Sequence, residues 1–376
     1  MTYIASTDNK MPLQLNTVKD LGAVFTPPGL VNTMLDTLPD DLFANPSKKW
    51  LEPCVGDGQF VKEILQRATE AIDLTCIEIH RPFCDIFSKT TGIPVINTDF
   101  LEFKTDTKYD VIIGNPPYQK PNKKTQKARG GKSQLYMEFM ERCLDILSPG
   151  GYLLFVHPSN WRKIGSPILH RILNTMTIRL LCLHQKKIFP NIPVTVDWYL
   201  IQNTPPLDGT KTKIINSDNS RIEMVLDRSL PFIPNQMSDD IQNTIFELSK
   251  GHRHKVILSC ELHAYTKKHL ISKTKSRDFR YPLVNTSAQG HVYSKVKHSY
   301  QNHKKVILSN SGNLSPFYDD GVLGTTQNSM FILVKNQEEG ENIVEKLKSE
   351  KYQTMIKICQ WGLFRTERAL VEYFGF

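Results

Sequence analysis

The chain has 376 residues, 40% of them hydrophobic and 23% charged, with a formal net charge of +9. That is the composition of a soluble globular protein long enough for two domains, each with its own core. No stretch reaches the roughly 18 apolar residues that span a bilayer, Met1 to Leu15 offers no apolar core for a signal peptide, and seven scattered cysteines lack Cys-x-x-Cys spacing. The expectation is a cytoplasmic, intracellular protein without membrane association, disulfide framework or metal cluster.

Residues 1–20 carry no periodic pattern. Thr26-Pro27-Pro28 then leads into a run with Val31, Met34, Leu35 and Leu38 at helical spacing, and prolines suit a first helical turn. Thr26 is placed either to cap that helix or to serve a site. Trp50 to Phe60 reads as a short strand, a glycine loop with Gly56 and Gly58, and the start of a helix. Val61 stands where a dinucleotide fingerprint has its third glycine, which disfavours a pyrophosphate cofactor. Three further strands are expected at 74–79, 94–99 and 109–114. They end in Glu78, in Asp99-Phe100, and in Asn115-Pro116-Pro117-Tyr118. Ligands of open α/β sheets bind at strand C-terminal ends, so these residues after a glycine loop point to a nucleoside-bearing site.

The segment 119–133 carries Lys120, Lys123, Lys124, Lys127, Arg129 and Lys132 and no acid. It reads as a phosphate-contacting loop. A helix over 135–147, a turn at Pro149-Gly150-Gly151, a fifth strand at 152–156, a helix at 168–176, a sixth strand at 178–183 and a returning, antiparallel seventh at 195–201 complete an α/β pattern. Thr204 to Gly209 is the linker candidate. Beyond it come short β-like runs and one helix over 341–359. Residues 250–305 hold 13 Lys and Arg against 2 Asp and Glu. That imbalance is either a footprint for a polyanion or a solvated basic surface. His252, His254, Cys260 and His263 match no standard zinc spacing.

Taken in order, Thr26-Pro27-Pro28, the Glu52 to Gly58 loop, Glu78, Asp99-Phe100, Asn115-Pro116-Pro117-Tyr118 and the Pro149-Gly150-Gly151 turn resemble the gamma-class DNA adenine-N6 methyltransferases of restriction–modification systems. The likeness covers about residues 20–202. It implies a Rossmann-like S-adenosylmethionine-dependent methyltransferase domain over 1–204, built on a mostly parallel seven-stranded sheet with an antiparallel strand. A basic, β-rich α+β target recognition domain over 205–376 would follow. The implied reaction is methyl transfer to the N6 amino group of a flipped-out adenine in double-stranded DNA. The enzyme would act as a monomer, with a cognate restriction endonuclease on a separate chain.

Residue by residue, the resemblance implies that Thr26, Gly56 and Gly58 hold the methionine part of S-adenosylmethionine and that Glu52 fixes its amino group. Glu78 would take the ribose hydroxyls, and Asp99 and Phe100 the cofactor adenine. Asn115 and Pro116 would receive the target amine, and Tyr118 and Phe189 would stack on the target base. Lys120 to Lys132 and, in the second half, Lys267, Lys268, Lys273, Lys275, Arg277 and Arg280 would contact DNA. Val55 departs from the family's usual small residue, with consequences for loop packing. Cys54 is read as packing. The alternatives are a cytosine-N4 methyltransferase, an RNA or protein-glutamine methyltransferase, and a DNA-binding module with an inactive methyltransferase domain. No convincing Pro-Asp…Glu-x-Lys nuclease pattern is present.

Overall fold

The computed structural model describes residues 25–118, 134–185, 188–189, 195–286, 290–310, 315–361 and 365–375. They form two compact units, one comprising the described residues up to Pro158 with Arg171–Thr212, the other Ser159–His170 with Lys213–Phe376. The expected division into 1–204 and 205–376 differs from this in the segments 159–170 and 205–212.

In the first unit, strands that are mostly buried form one sheet. Its strands are β1 (Lys49–Glu52), β2 (Asp73–Glu78), β3 (Ile96–Asn97), β4 (Tyr109–Gly114), β5 (Leu147–Pro158), β6 (Thr177–Gln185) and β7 (Val196–Gln202). They lie in the order β3-β2-β1-β4-β5-β7-β6 in a sheet of nine strands, where seven are expected. β1 to β5 pair in parallel, and β7 runs antiparallel to both β5 and β6. The order reverses beside β1, so the C-terminal ends of β1 and β4 face the crevice where an open sheet binds its ligand. Val111, Ile112 and Ile113 are fully buried, as befits a central strand covered on both faces.

Helices α1 (Pro28–Leu35), α2 (Gln59–Arg67), α3 (Arg81–Thr91), α4 (Leu135–Ile146) and α5 (Pro167–Thr175) intervene in the chain. Arg67 ties α2 to α1, its guanidinium donating to Asp36 Oδ1 at 2.7 Å and Asn32 Oδ1 at 2.6 Å. That fork holds the segment leading from Thr26 in place. Two expectations are corrected here. β3 is only two residues long, because Thr98 and Asp99 turn away into a bonded loop, with Leu101 N–H donating to Asp99 Oδ1 at 2.9 Å. β5 starts at Leu147, with Ser148–Gly151 looped out of register against β4. A Cβ at Gly151 would come within 2.9 Å of the Asp110 carbonyl, so only glycine allows this close approach.

The second unit contains α5's first residues, β8 (mostly; Thr212–Ile215), β9 (Arg221–Met224), α6 (Asp239–Leu248) and two four-stranded sheets. One sheet orders β10 (Val256–Ile257), β17 (Ser329–Leu333), β14 (Lys305–Ser309) and β15 (Phe317–Asp319), all antiparallel. The other orders β11 (Ile271–Ser272), β13 (Gly290–Ser294), β12 (Tyr281–Thr286) and β16 (Gly324–Thr325). Val284, Ile307, Leu323 and Phe331 share one core across the two sheets. Lys305 Nζ and Asp319 Oδ2 form a buried ion pair at 2.6 Å, in which Lys305 also donates to two carbonyls. The single helix expected over 341–359 is two, α7 (Gln337–Lys348) and α8 (Glu350–Ile358). Ser349 breaks them by accepting from Tyr352 N–H as the second helix's cap. A last helix, α9, spans Arg368–Tyr373. Arg162 is fully buried in this unit, its guanidinium bonded to the Ile233 carbonyl at 2.6 Å and Asn235 Oδ1 at 2.8 Å. Among the described residues no helix is long and apolar enough to cross a membrane.

Candidate active site

The ends of β1, β2 and β4 bring Glu52, Gly56, Glu78, Asn115 and Thr26 together. After β1 the chain turns through Gly56 and Gly58, both with positive φ, and Gly58 caps α2 in the left-handed conformation. A Cβ on Gly58 would sit 2.3 Å from the Phe87 ring of α3. Glycine is therefore dictated there by backbone and by packing alike. The loop is clamped by Glu78 at the end of β2. Gly56 N–H donates to Glu78 Oε2 at 3.0 Å and His80 N–H to Oε1 at 2.9 Å. Each carboxylate oxygen retains acceptor capacity beyond these single bonds.

Glu52, the last residue of β1, is 2% exposed. Burial, with the carboxylates of Asp57 and Glu78 nearby, pushes its carboxyl well above the usual range, while the Val61 amide pulls the other way. Its Oε2 has no hydrogen-bond partner among the described residues. A buried acid left without a donor costs free energy unless something cationic completes it. Asp57 is raised in the same sense by burial, against a 2.9 Å bond from Gln59 Nε2.

Asn115 follows β4 and is held at two points. Its side-chain amide donates to Thr26 Oγ1 at 3.1 Å, and its carbonyl accepts from the Cys54 thiol at 3.4 Å. Thr26 is thus tied to the turn after β4; the cap of α1 is Pro27, with no side-chain bond. Cys54 adds a tether to the packing expected of it, and burial holds its thiol far above the thiolate range. Three segments remote in sequence, ending at Thr26, Cys54 and Asn115, are joined at one asparagine, Thr26 through its side chain and Cys54 through its backbone carbonyl. Pro116 is buried and Tyr118 half-buried. Burial raises the Tyr118 phenol, so it stays protonated at neutral pH.

Asp99 caps its own turn through Leu101 N–H, and Phe100 is buried 5.0 Å from Phe139, with the Arg142 guanidinium 5.4 Å over its ring. Phe189 is buried; its neighbours at 186–187 and 190–194, like Lys120, Lys123, Lys124, Lys127, Arg129 and Lys132, lie outside the described residues. In the second unit Lys267, Lys268, Lys273, Lys275, Arg277 and Arg280 are all exposed. Arg280 lies 5.1 Å over Tyr281 and Lys295 4.9 Å over Phe279.

Sequence reasoning did not single out a second group in the first unit. Tyr136 of α4, His157 of β5 and Tyr199 of β7 are buried together. Tyr136 stacks on His157 with centroids 4.6 Å apart and meets Tyr118 edge to face at 6.5 Å. A histidine at a strand tip was the one available signal.

Residues 62–189 match the family model described as Eco57I restriction-modification methylase. The chain is 30% identical over 169 residues to the modification methylase CviBIII of Paramecium bursaria Chlorella virus NC1A, covering 43% of this chain and 44% of that one. It is also 30% identical over 160 residues to the type II methyltransferase M.TthHB8I of Thermus thermophilus, covering 38% and 36%. The chain therefore spans less than half the length of these curated relatives. Among solved structures, a nuclease-deletion mutant of the type ISP restriction-modification enzyme LlaGI, in complex with a DNA substrate mimic, aligns with a TM-score of 0.58 at 12% identity. That alignment covers 93% of this chain and 54% of the other, and the likeness is one of fold. The methylase match implies S-adenosylmethionine as the cofactor. Glu52 fits it, since a buried carboxylate with a vacant oxygen suits a ligand bearing an ammonium and a sulfonium.

Proposed function

We infer, from the restriction-modification methylase match over residues 62–189, that this chain is a site-specific DNA methyltransferase acting on the N6 amino group of adenine. The observation that carries the reading is the double tether of Asn115, to Thr26 and to Cys54, at the switch point of the sheet. When bound, S-adenosylmethionine supplies an electrophilic methyl group. Glu52 would hold its ammonium, the Gly56 and Gly58 backbone would admit its methionine part, and Glu78 would offer its remaining lone pairs to the ribose hydroxyls. Asp99 and Phe100 would border its adenine.

An exocyclic amine is a poor nucleophile because its lone pair is conjugated with the ring. Two acceptors on its hydrogens favour a pyramidal nitrogen and free that lone pair. Asn115 Oδ1 and the Pro116 carbonyl are proposed as those acceptors. Nδ2 donates to Thr26 Oγ1, so in this arrangement Oδ1 is the acceptor end of the carboxamide. Preorganised dipoles of this kind contribute a few kcal/mol, about 3 per group in measured cases. Taking the base out of the duplex costs about a few kcal/mol, and stacking on Tyr118 and Phe189 would offset roughly 1–3 kcal/mol per ring. The exposed basic residues Lys267 to Arg280 of the second unit support a recognition role for it. A cognate endonuclease on a separate chain, and action as a monomer, belong to the same proposal.

The test is transfer of labelled methyl from S-adenosylmethionine to duplex DNA, followed by nucleoside analysis of the product. N6-methyladenine is expected, and Asn115→Ala should lower turnover by about a hundredfold or more. N4-methylcytosine would replace the assigned base while leaving the acceptor pair intact. Preference for RNA over duplex DNA, or full turnover by Asn115→Ala, would overturn the reading.

A further inference from the structure

We propose that His157 is a positioning residue for the target base: its ring, held by Tyr199, backs Tyr136 and through it fixes the ring of Tyr118. The proposal rests on the reading of Tyr118 as the residue on which the base stacks.

The sheet dictates the arrangement. Phe155 of β5 is directly opposite Tyr199 of β7. His157, two residues on, lies on the same face and diagonal to Tyr199, a spacing that aromatic side chains can bridge. His157 Nε2 is 2.6 Å from the Tyr199 hydroxyl, and Nδ1 is 2.9 Å from the Pro158 carbonyl. A carbonyl only accepts, so Nδ1 carries the proton and Nε2 accepts from Tyr199. Both nitrogens are satisfied, and the plane of the imidazole is fixed at two points. Tyr136 stacks on that plane at 26°, and its hydroxyl donates to Gln134 Oε1 at 2.8 Å. The Tyr136 ring is therefore held at its face and at its tip. It presents itself to Tyr118 at 81°, an edge-to-face contact.

Simple core packing would be met more cheaply by leucine or phenylalanine, since a fully buried imidazole costs free energy unless both nitrogens are partnered. What the imidazole adds is one orientation of a flat surface. The group is not a proton relay. Burial lowers His157 to about 4, opposed by the Pro158 carbonyl and Asp197. Tyr199 is raised by burial, with Cys143, Asp197 and Tyr136 around it. Neither changes charge near neutral pH.

The test uses the full chain, duplex DNA containing its methylation site, and the same duplex with 2-aminopurine at the target base. His157→Ala should lower kcat by roughly 10–100-fold and change the 2-aminopurine fluorescence of the bound complex, as a displaced stacking ring would. Its Kd for S-adenosylmethionine should stay within about twofold of the parent. The double variant His157→Phe/Tyr199→Phe keeps both rings and removes the hydrogen bonds that orient them; its kcat should stay low, within about fivefold of His157→Ala. Two results would overturn the proposal: His157→Ala at parental kcat, or the double variant at parental kcat, which plain ring packing would give. If His157→Ala does not fold, Tyr136→Leu takes its place, with the same expected and overturning values. Tyr118→Ala is measured alongside. Full activity there overturns the base-stacking reading itself, whereas loss there beside an active His157→Ala overturns only the positioning role.

Discussion

Glu52 carries its burial into a pH dependence. Its folded carboxyl holds a proton more tightly than an unfolded glutamate, which titrates near about 4.3. Between that pH and the raised folded value the unfolded state binds fewer protons, so stability falls as pH rises. Glu52→Gln should remove this slope and raise the urea midpoint at pH 7, while weakening S-adenosylmethionine by about tenfold. Titration of both proteins by denaturant at several pH values reads the first effect. A cation against the carboxylate lowers its pKa again, so cofactor binding should also release a proton in the parent and none in the variant; calorimetry in buffers of different ionisation enthalpy measures it. Gly58 is the second residue with a sharp consequence. Gly58→Ala combines a left-handed backbone with a clash on Phe87. A loss of about 2–4 kcal/mol in stability is expected, read by the same denaturation.

At the level of elements, the turn after β4 is positioned by partners from elsewhere in the chain. Thr26→Val keeps the shape of the side chain and removes the acceptor for the Asn115 amide. One neutral hydrogen bond is worth about 1 kcal/mol, so kcat should fall roughly fivefold with the parental melting temperature nearly kept. An unchanged kcat would show that Cys54 and the prolines suffice to orient the carboxamide. These elements were legible because each buried run ends in a residue that a core does not need. Glu78, Asp99 and Asn115 stand where apolar periodicity stops, and Gly56 and Gly58 sit where a turn must approach a ligand. His157, Tyr136 and Tyr199 were not legible for the opposite reason. Each falls at a position its strand or helix buries, and only the diagonal register of β5 and β7 reveals that His157 and Tyr199 meet. The split at Ser349 was missed because the helical spacing of apolar residues runs through a serine that acts as a cap.

For the molecule as a whole, charge makes the most direct prediction. Replacing Lys273, Lys275 and Arg277, all exposed in the second unit, by glutamine should weaken DNA binding at all sequences. If each meets a phosphate, the slope of log Kd against log salt should drop by about 0.9 per residue. Titration of labelled duplex at several salt concentrations gives that slope, and an unchanged slope would place the polyanion surface elsewhere. The basic content of this unit was readable from composition. Its membership was not, because Arg162 finds its partners Ile233 and Asn235 some seventy residues later. No local pattern announces a segment that leaves one core, enters another and returns. The chain accordingly passes between the units at 158/159, 170/171 and 212/213. Chimaeras designed to exchange recognition halves between related enzymes would normally be cut once, at the proline-rich linker. Here a single cut would leave Ser159–His170 from one parent facing the second unit of another. A working hybrid needs all three junctions moved together; if the second unit reads DNA as proposed, its specificity should change more readily by substitution within that unit than by recombination.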